Sequence, residues 1–525
     1  MRNPIRIRLR RAVVSTFALL LCLLLCAPAA SATDPSRRSE RFAAIDAYVR
    51  DRMEATRTPG ISYAVVGPDG PVHRRSWGTD GRGRRVGAGT PFLWGSVAKP
   101  IAATGVMTLV QDGRLSLEDR VVDHLPAFRF GGAAHASGVT VRHLLNQTSG
   151  LPESATFDVA DCLDADCPRP AERIGDLDEV RPLGPPGTAY AYTSANYVVL
   201  AAVVESVTGR PFADHLRRSV FEPAGMRGAI ADQASARKRN LAPGHQLLWG
   251  IPAAIAGGVD NHGAAYGYTG GDLNDLAAFA SFQLRSGRTA DGDTVLTPDS
   301  VRLMREEGRL RPTGTRNGTG VGTGYGLGWR VGGPDAPLDD AIWHTGATPG
   351  YSAMLFLLPK RNIALVLEQN LYGLLQDGAV MQVGFGAARI LAGGETPTGD
   401  GSASGYYATV WGTTALAATL ILAVGRSFLL LRRPLPPASA QRRTTLTALW
   451  CLAGALPWIG LTLIVGQMGP GQLMNWVPDT FIALCVAALA GAMTIVLRLA
   501  LAIRSSRTGG GRTNSGRTTV PPMPP

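Results

Sequence analysis

The stretch Trp94-Gly95-Ser96-Val97-Ala98-Lys99-Pro100 heads an apolar run from Ile101 to Val110 that Gly113 can cap, and its reading decides the fold. With Ser96 at a helix start, Lys99 lies three residues on, so hydroxyl and amine share one face. A serine hydroxyl is a poor nucleophile at neutral pH, and a desolvated lysine with a depressed pKa can take its proton. The unpaired N–H groups of a helix start also favour the negative charge that develops on an acyl-transfer oxyanion. Ser and Lys fall at this spacing on many solvated helices, so the pair alone does not identify a site. Lys99, Lys238 and Lys360 are the only lysines in a chain that otherwise uses Arg, which makes a lysine at this place informative.

Outward from this stretch, the periodicity predicts a helix over Arg41 to Met53 and a hairpin of Ile61 to Val66 and Val72 to Trp77 around the turn Gly67-Pro68-Asp69-Gly70. From about 114 to 300 the chain is mixed and rich in turns; its clearest helix is Tyr197 to Val207, closed by Gly209 and Pro211. Strand character returns at Ala341 to Trp343, Tyr351 to Leu358 and Ile363 to Leu367, followed by a helix of about Leu374 to Leu391. Strands near both ends with helical material between them predict one antiparallel sheet assembled from both termini, with a helical subdomain inserted.

The formal charge of +12 would suggest nucleic-acid binding if it were spread evenly. It is not. Residues 1–32 hold five Arg and no acid, residues 405–525 hold ten Arg and the single acid Asp479, and the middle is nearly balanced. Nucleic acid is therefore excluded as a partner, because the basic ends are membrane-topology signals. Arg2 to Arg11, the apolar run Ala12 to Cys26 and the small-residue site Ala30-Ser31-Ala32 read as a signal peptide over 1–32, with a retained anchor as the alternative. A domain over 33–392 is followed by a Gly/Ser/Thr-rich linker, 393–405, and by three apolar segments of bilayer length within 406–504: about 406–431, 444–465 and 480–503. Arg432, Arg433, Arg442 and Arg443 lie between the first two segments, and Arg504 and Arg507 follow the third. The positive-inside rule then puts the 33–392 domain outside the cell membrane, which agrees with the leader. Residues 505–525 read as a disordered cytoplasmic tail. Cys162 and Cys167 are the only cysteines of the exported part, and that compartment permits a local disulfide; unpaired thiols in a polar loop are the alternative. No His or further Cys falls near them to suggest zinc.

A base needs orienting, and Tyr192, in the loop Pro186 to Ser194, offers a second hydroxyl. A third element is Trp343-His344-Thr345-Gly346-Ala347, a strand end whose glycine lets another group approach the backbone closely. Taken singly, Tyr192 reads as a half-buried loop tyrosine and His344 as a satisfied histidine. In order they say more: Ser-x-x-Lys, then Tyr-x-Ser about ninety-six residues on, then His-Thr-Gly about one hundred and fifty further.

On these motifs the chain resembles the serine hydrolases of the class C β-lactamase type, which include D-alanyl-D-alanine carboxypeptidases, D-aminopeptidases and esterases. Further landmarks of the resemblance are Thr90-Pro91-Phe92, Asp112 to Asp119, Leu144 to Pro152, Asp275-Leu276, Gly324 to Trp329 and Thr348 to Tyr351. It implies an α/β fold, a β-lactamase-like antiparallel sheet flanked by helices with a helical subdomain, here followed by a three-helix transmembrane region. It also implies roles. Ser96 would be acylated, Lys99 would accept or tune its proton, and Tyr192 would relay protons and activate the deacylating water. The backbone N–H groups of Ser96 and Ala347 would form the oxyanion hole, and His344, Thr345, Gly346 and Ser194 would face substrate. No metal or organic cofactor is implied. Two departures stand out: Ser194 replaces the usual asparagine of the second motif, and His344 removes a fixed positive charge from the third. Both shift weight from β-lactamase towards esterase or peptidase chemistry.

The expectation is an extracytoplasmic, membrane-anchored serine hydrolase. It would act through an acyl-enzyme on an ester or D-amino-acid amide, a small molecule or peptide such as a cell-wall fragment. The alternative is a catalytically weak protein that binds or senses cell-wall peptides or β-lactams. Oligomeric state is left open.

Overall fold

The computed structural model describes residues 35–164, 166–310, 324–397, 403–433 and 439–509. The leader expected over 1–32 and the chain after 509 lie outside them.

Seven antiparallel strands form the central sheet, and they come from both ends of the domain. β1 (Gly60–Gly67) and β2 (Gly70–Gly78) are the predicted hairpin. β3 (Gly324–Tyr325), β4 (Arg330–Val331), β5 (Ile342–Thr348), β6 (Tyr351–Leu358) and β7 (Ile363–Gln369) complete the order β2-β1-β7-β6-β5-β4-β3. The first and last segments meet in register from Ile61 opposite Gln369 to Val66 opposite Ala364.

Strand alternation divides the core in two. Tyr63, Val65, Met354, Phe356, Leu365 and Leu367 face helices α1 (Pro35–Thr56) and α5 (Asp377–Leu391), where Ile45, Val49, Val380 and Val383 wait. Ala64, Val66, Ala353, Leu355, Leu357 and Val366 face α2 (Ala98–Gln111) and α4 (Leu273–Leu284) with Val106, Leu276 and Phe279. Every residue of β6 is buried, which is why that strand reads as an unbroken apolar run rather than an alternating one. Between β2 and β3 lies the helical subdomain, short helices around α3 (Ala195–Thr208), which Gly209 closes at a φ of 66°.

Three local expectations shift. Ser96 lies in a 3-10 turn, Gly95–Val97, just ahead of α2. The strand expected to stop at Trp343 runs on to Thr348 and so carries the whole His-Thr-Gly segment. The last helix of the domain begins at Asp377, preceded by a 3-10 turn over Leu374–Gln376.

Three long helices follow: α6 (Ser404–Arg432), α7 (Ala440–Trp476) and α8 (Pro478–Gly509). Each is long and apolar enough to cross a membrane, over Ser404–Arg432, Gln441–Met468 and Pro478–Ser505. The third continues five residues past the 504 boundary read from the sequence. Gly454 and Gly491 bring α7 and α8 together, since a Cβ on Gly491 would meet the Gly454 carbonyl oxygen at 2.3 Å. Helix α7 is broken at Gly469, with φ 75° and ψ 155°, before Pro470. The last turns of α7, 470–476, bend back onto the domain, where Gln472 Nε2 donates to the Ala160 carbonyl (3.1 Å) and Gln246 Nε2 donates to the Asn475 carbonyl (2.6 Å). Asp479 tightens the junction, accepting from the Trp249 N–H (3.1 Å) and the Tyr406 hydroxyl (2.7 Å).

Candidate functional site

The Ser96 turn is anchored from behind by Trp94, whose indole N–H donates to the buried carboxyl of Glu368 on β7 at 3.0 Å. Gly95 has a φ of 53°, and a Cβ there would lie 2.0 Å from the Ala347 nitrogen. A Cβ on Gly346 would lie 2.0 Å from the Trp94 carbonyl oxygen and 2.5 Å from the Ser96 nitrogen. Two glycines thus let the turn and β5 touch backbone to backbone, which sets the nitrogens of Ser96 and Ala347 side by side. What approaches Gly346 so closely is the serine turn.

Lys99 is completely buried beneath Ser96. Its Nζ donates to Ser96 Oγ (3.0 Å), to Ser194 Oγ (3.3 Å) and to the Tyr266 carbonyl oxygen (2.9 Å). Burial, and then the positive charge of Arg330, push its pKa down to about 7. The short Ser194 hydroxyl reaches Lys99, and the Tyr266 carbonyl is a further partner. Asn196, the nearest side-chain amide in sequence, is committed elsewhere: it donates to Gln147 Oε1 (2.6 Å) and accepts from Ser149 (2.6 Å). Gln147, in turn, accepts from the Thr193 N–H at 3.1 Å and so shapes the loop that presents Tyr192.

Tyr192 stands over the pair. Lys99 Nζ lies 4.8 Å from its ring centroid and the Arg330 guanidinium 5.0 Å from the same centroid. Burial pushes its phenol up to about 12, a rise eased by Arg330 and by hydrogen bonding with Ser96. The phenol therefore holds its proton at neutral pH, whereas Lys99 is poised to lose one.

His344 lies elsewhere than expected. It is 1% exposed, with Nε2 3.1 Å from the Tyr325 hydroxyl and Nδ1 2.6 Å from the Thr345 carbonyl oxygen, and burial holds its pKa well below the ordinary histidine value. It packs against Tyr192 with ring centroids 6.0 Å apart and supports that ring as a neutral group. Alternation on β5 turns Thr345 and Ala347 to the open side, where they line a cavity of about 980 Å3 together with Ser96, Tyr192 and Gly346. The cation of that cavity is Arg330. It rests on the rings of Tyr192, Tyr325 and Trp343, and the cavity also holds Glu153, Asp158 and Asp377, the last of which acts on the Arg330 charge without an ion-pair contact among the described residues. Sequence reasoning missed it, although it directly follows the Gly324 to Trp329 landmark.

Cys162 and Cys167 are joined by a disulfide, S–S 2.11 Å. Beside it the half-buried Asp161 accepts from Trp476 Nε1 (3.0 Å) and Tyr268 (3.1 Å), and its backbone N–H donates to the Tyr266 hydroxyl (2.7 Å). That hydroxyl in turn donates to Asp260 (2.5 Å), which is paired with the buried Arg173 at 2.6 Å. The residue whose carbonyl receives Lys99 is thus clamped. Among the described residues no group of three His, Cys, Asp or Glu side chains is placed to hold a metal ion.

Comparison with known proteins matches residues 45–382 to the Beta-lactamase family. Penicillin-binding protein 4 of Amycolatopsis lactamdurans is 34% identical over 273 residues, which are 50% of this chain and 70% of that protein. Protein flp of Staphylococcus aureus is 23% identical over 335 residues, 62% of each chain. Among solved structures, the octameric penicillin-binding protein homologue from Pyrococcus abyssi superposes with a TM-score of 0.56 at 22% identity, covering 68% of this chain and 78% of that one. EstCE1, a hydrolase with promiscuous acyltransferase activity, gives 0.54 at 21% identity, covering 63% and 94%. These two likenesses are of fold.

Proposed function

Because the chain belongs to the Beta-lactamase family, matched over residues 45–382, we propose that it is a membrane-anchored, extracytoplasmic serine hydrolase forming an acyl-enzyme on an ester or D-amino-acid amide. The observation that carries this reading is the buried Lys99 amine, 3.0 Å from Ser96 Oγ with its pKa lowered to about 7. In its neutral form Lys99 takes the Ser96 proton as Oγ attacks the acyl carbon. The oxyanion is received by the N–H groups of Ser96 and Ala347, each contributing about 3 kcal/mol. Tyr192 carries a proton onward to the departing alcohol or amine, and water then releases the acyl group. Arg330 restores the fixed positive charge that His344 does not supply, and it receives an anionic group of the substrate. A carboxylate-bearing substrate is therefore compatible with the site, contrary to the weight the third motif alone would give.

The extracytoplasmic placement is supported by Arg432, Arg433, Arg442, Arg443 and Arg504, all at helix ends remote from the domain. A catalytically weak sensor is the competing reading, favoured by the contact of Trp476 with Asp161. Labelling of the full-length protein with an activated-serine probe decides between them. Wild type is expected to label and to turn over esters, and Ser96→Ala to do neither; an unlabelled wild type without turnover supports the sensor.

A further inference from the structure

The cavity that opens on Ser96 is not walled by the domain alone. Gly466, Gln467, Met468 and Trp476 of helix α7 line it as well, and the first three belong to the apolar segment Gln441–Met468. Arg442 and Arg443 hold the far end of that segment at the polar boundary, so hydrocarbon begins at about Thr444; about 20 helical residues then cross ~30 Å and end near Leu463. At 1.5 Å per residue, Gly466 to Met468 stand about 5–8 Å beyond the hydrocarbon, among the lipid headgroups. The wall of the cavity is therefore at headgroup depth.

The apolar part of its lining continues the same way, alongside a polar part that holds Glu153, Asp158, Asp377 and Arg330. Leu374 and Met381 of the domain lie in the cavity with Met468 and Trp476. Leu374 also edges the crevice where Trp476, Val477 and Pro478 meet the domain. Near this junction Ile251, Leu374 and Met474 are exposed, 67%, 43% and 46% respectively. Beside helices that cross a membrane, such apolar side chains would face lipid. A water-soluble substrate would need neither the apolar track nor the helix wall.

We infer that the substrate is an amphiphile held in the leaflet beneath the domain. Its ester or amide is presented to Ser96 at headgroup depth while its apolar part runs along Leu374, Met468 and Trp476. The inference rests on the hydrolase reading above and names the carrier of the acyl group. The test uses the full-length protein in phosphatidylglycerol vesicles with two esters of one N-acyl-D-alanyl group, one on a short soluble alcohol and one on a diacylglycerol in the same vesicles. Activated-serine labelling is recorded alongside. The anchored ester is expected to be cleaved at least about tenfold faster at equal bulk concentration, and at least about tenfold slower when carried by separate vesicles. Met468→Glu and Leu374→Glu, each still labelled, are each expected to lower the anchored-to-soluble ratio at least about fivefold. Labelled wild type that prefers the soluble ester, or a ratio that neither variant moves, overturns this inference and leaves the hydrolase standing. Absence of both labelling and turnover overturns the two together.

Discussion

Arg330→Gln tests how Lys99 is poised. Lys99 Nζ and the Arg330 guanidinium lie 4.8 Å and 5.0 Å from one ring centroid, that of Tyr192. The two cations are therefore at most about 10 Å apart, and at an effective dielectric constant of about 20 their repulsion is at least about 1.7 kcal/mol. That corresponds to about 1.2 pH units on Lys99. Removing the guanidinium stabilises the ammonium, so the lysine titrates higher, at about 8.2 instead of the wild-type value of about 7. At pH 7 the neutral fraction falls from about one half to about one in seventeen, and acylation slows about eightfold; by about pH 9.5 it recovers. The assay is stopped-flow acylation with an uncharged activated ester, so that binding of an anionic group by Arg330 does not enter. A rising limb that stays within about 0.3 pH units of wild type, or moves to lower pH, refutes the electrostatic assignment.

Other substitutions probe the remaining parts. Lys99→Met removes a buried group that binds fewer protons folded than unfolded between about pH 7 and 10.5, so its charging penalty is complete below 7 and fades as pH rises. The variant should lose acylation, and its Tm relative to wild type should be highest near pH 6 and fall towards pH 9, checked by thermal scans; a pH-independent difference contradicts the lowered lysine. Gly346→Ala puts a methyl 2.0 Å from the Trp94 carbonyl oxygen and parts the serine turn from β5. Acylation should fall at least about a hundredfold, the loss of an oxyanion donor, and a rate within about threefold of wild type counts against that pairing of nitrogens. Tyr192→Phe keeps the ring between Lys99 and Arg330 but removes the proton route; kcat should drop about 10²- to 10⁴-fold with KM little changed, as steady-state kinetics would record.

Much of this was legible from residue types and spacing. Ser96, Lys99 and Tyr192 converge as their order suggested, and the strands that assemble the sheet from both ends were visible as apolar runs. Other features were hidden for identifiable reasons. The Tyr266 acceptor of Lys99 is a backbone carbonyl, which leaves no mark on residue identity. Arg330 is one arginine among many, and the two-residue strand beneath it is too short to register. The family resemblance puts His344 at the substrate, yet period-two alternation on β5 buries it and turns Thr345 and Ala347 outward. Asn196, two residues past Ser194, gives it no help, because it holds Gln147 and Ser149. The apolar spans could be read from composition; that Gly469 and Pro470 break helix α7 so that it walls the cavity could not.

The most direct test is to quench the full-length protein in acid seconds after mixing it with an activated D-alanyl ester, and to map the added mass by peptide sequencing. One acyl group on the peptide containing Ser96, absent from Ser96→Ala and strongly reduced in Lys99→Met, is the expected result. An unmodified protein, or an acyl group carried on any other residue, contradicts the serine–lysine mechanism.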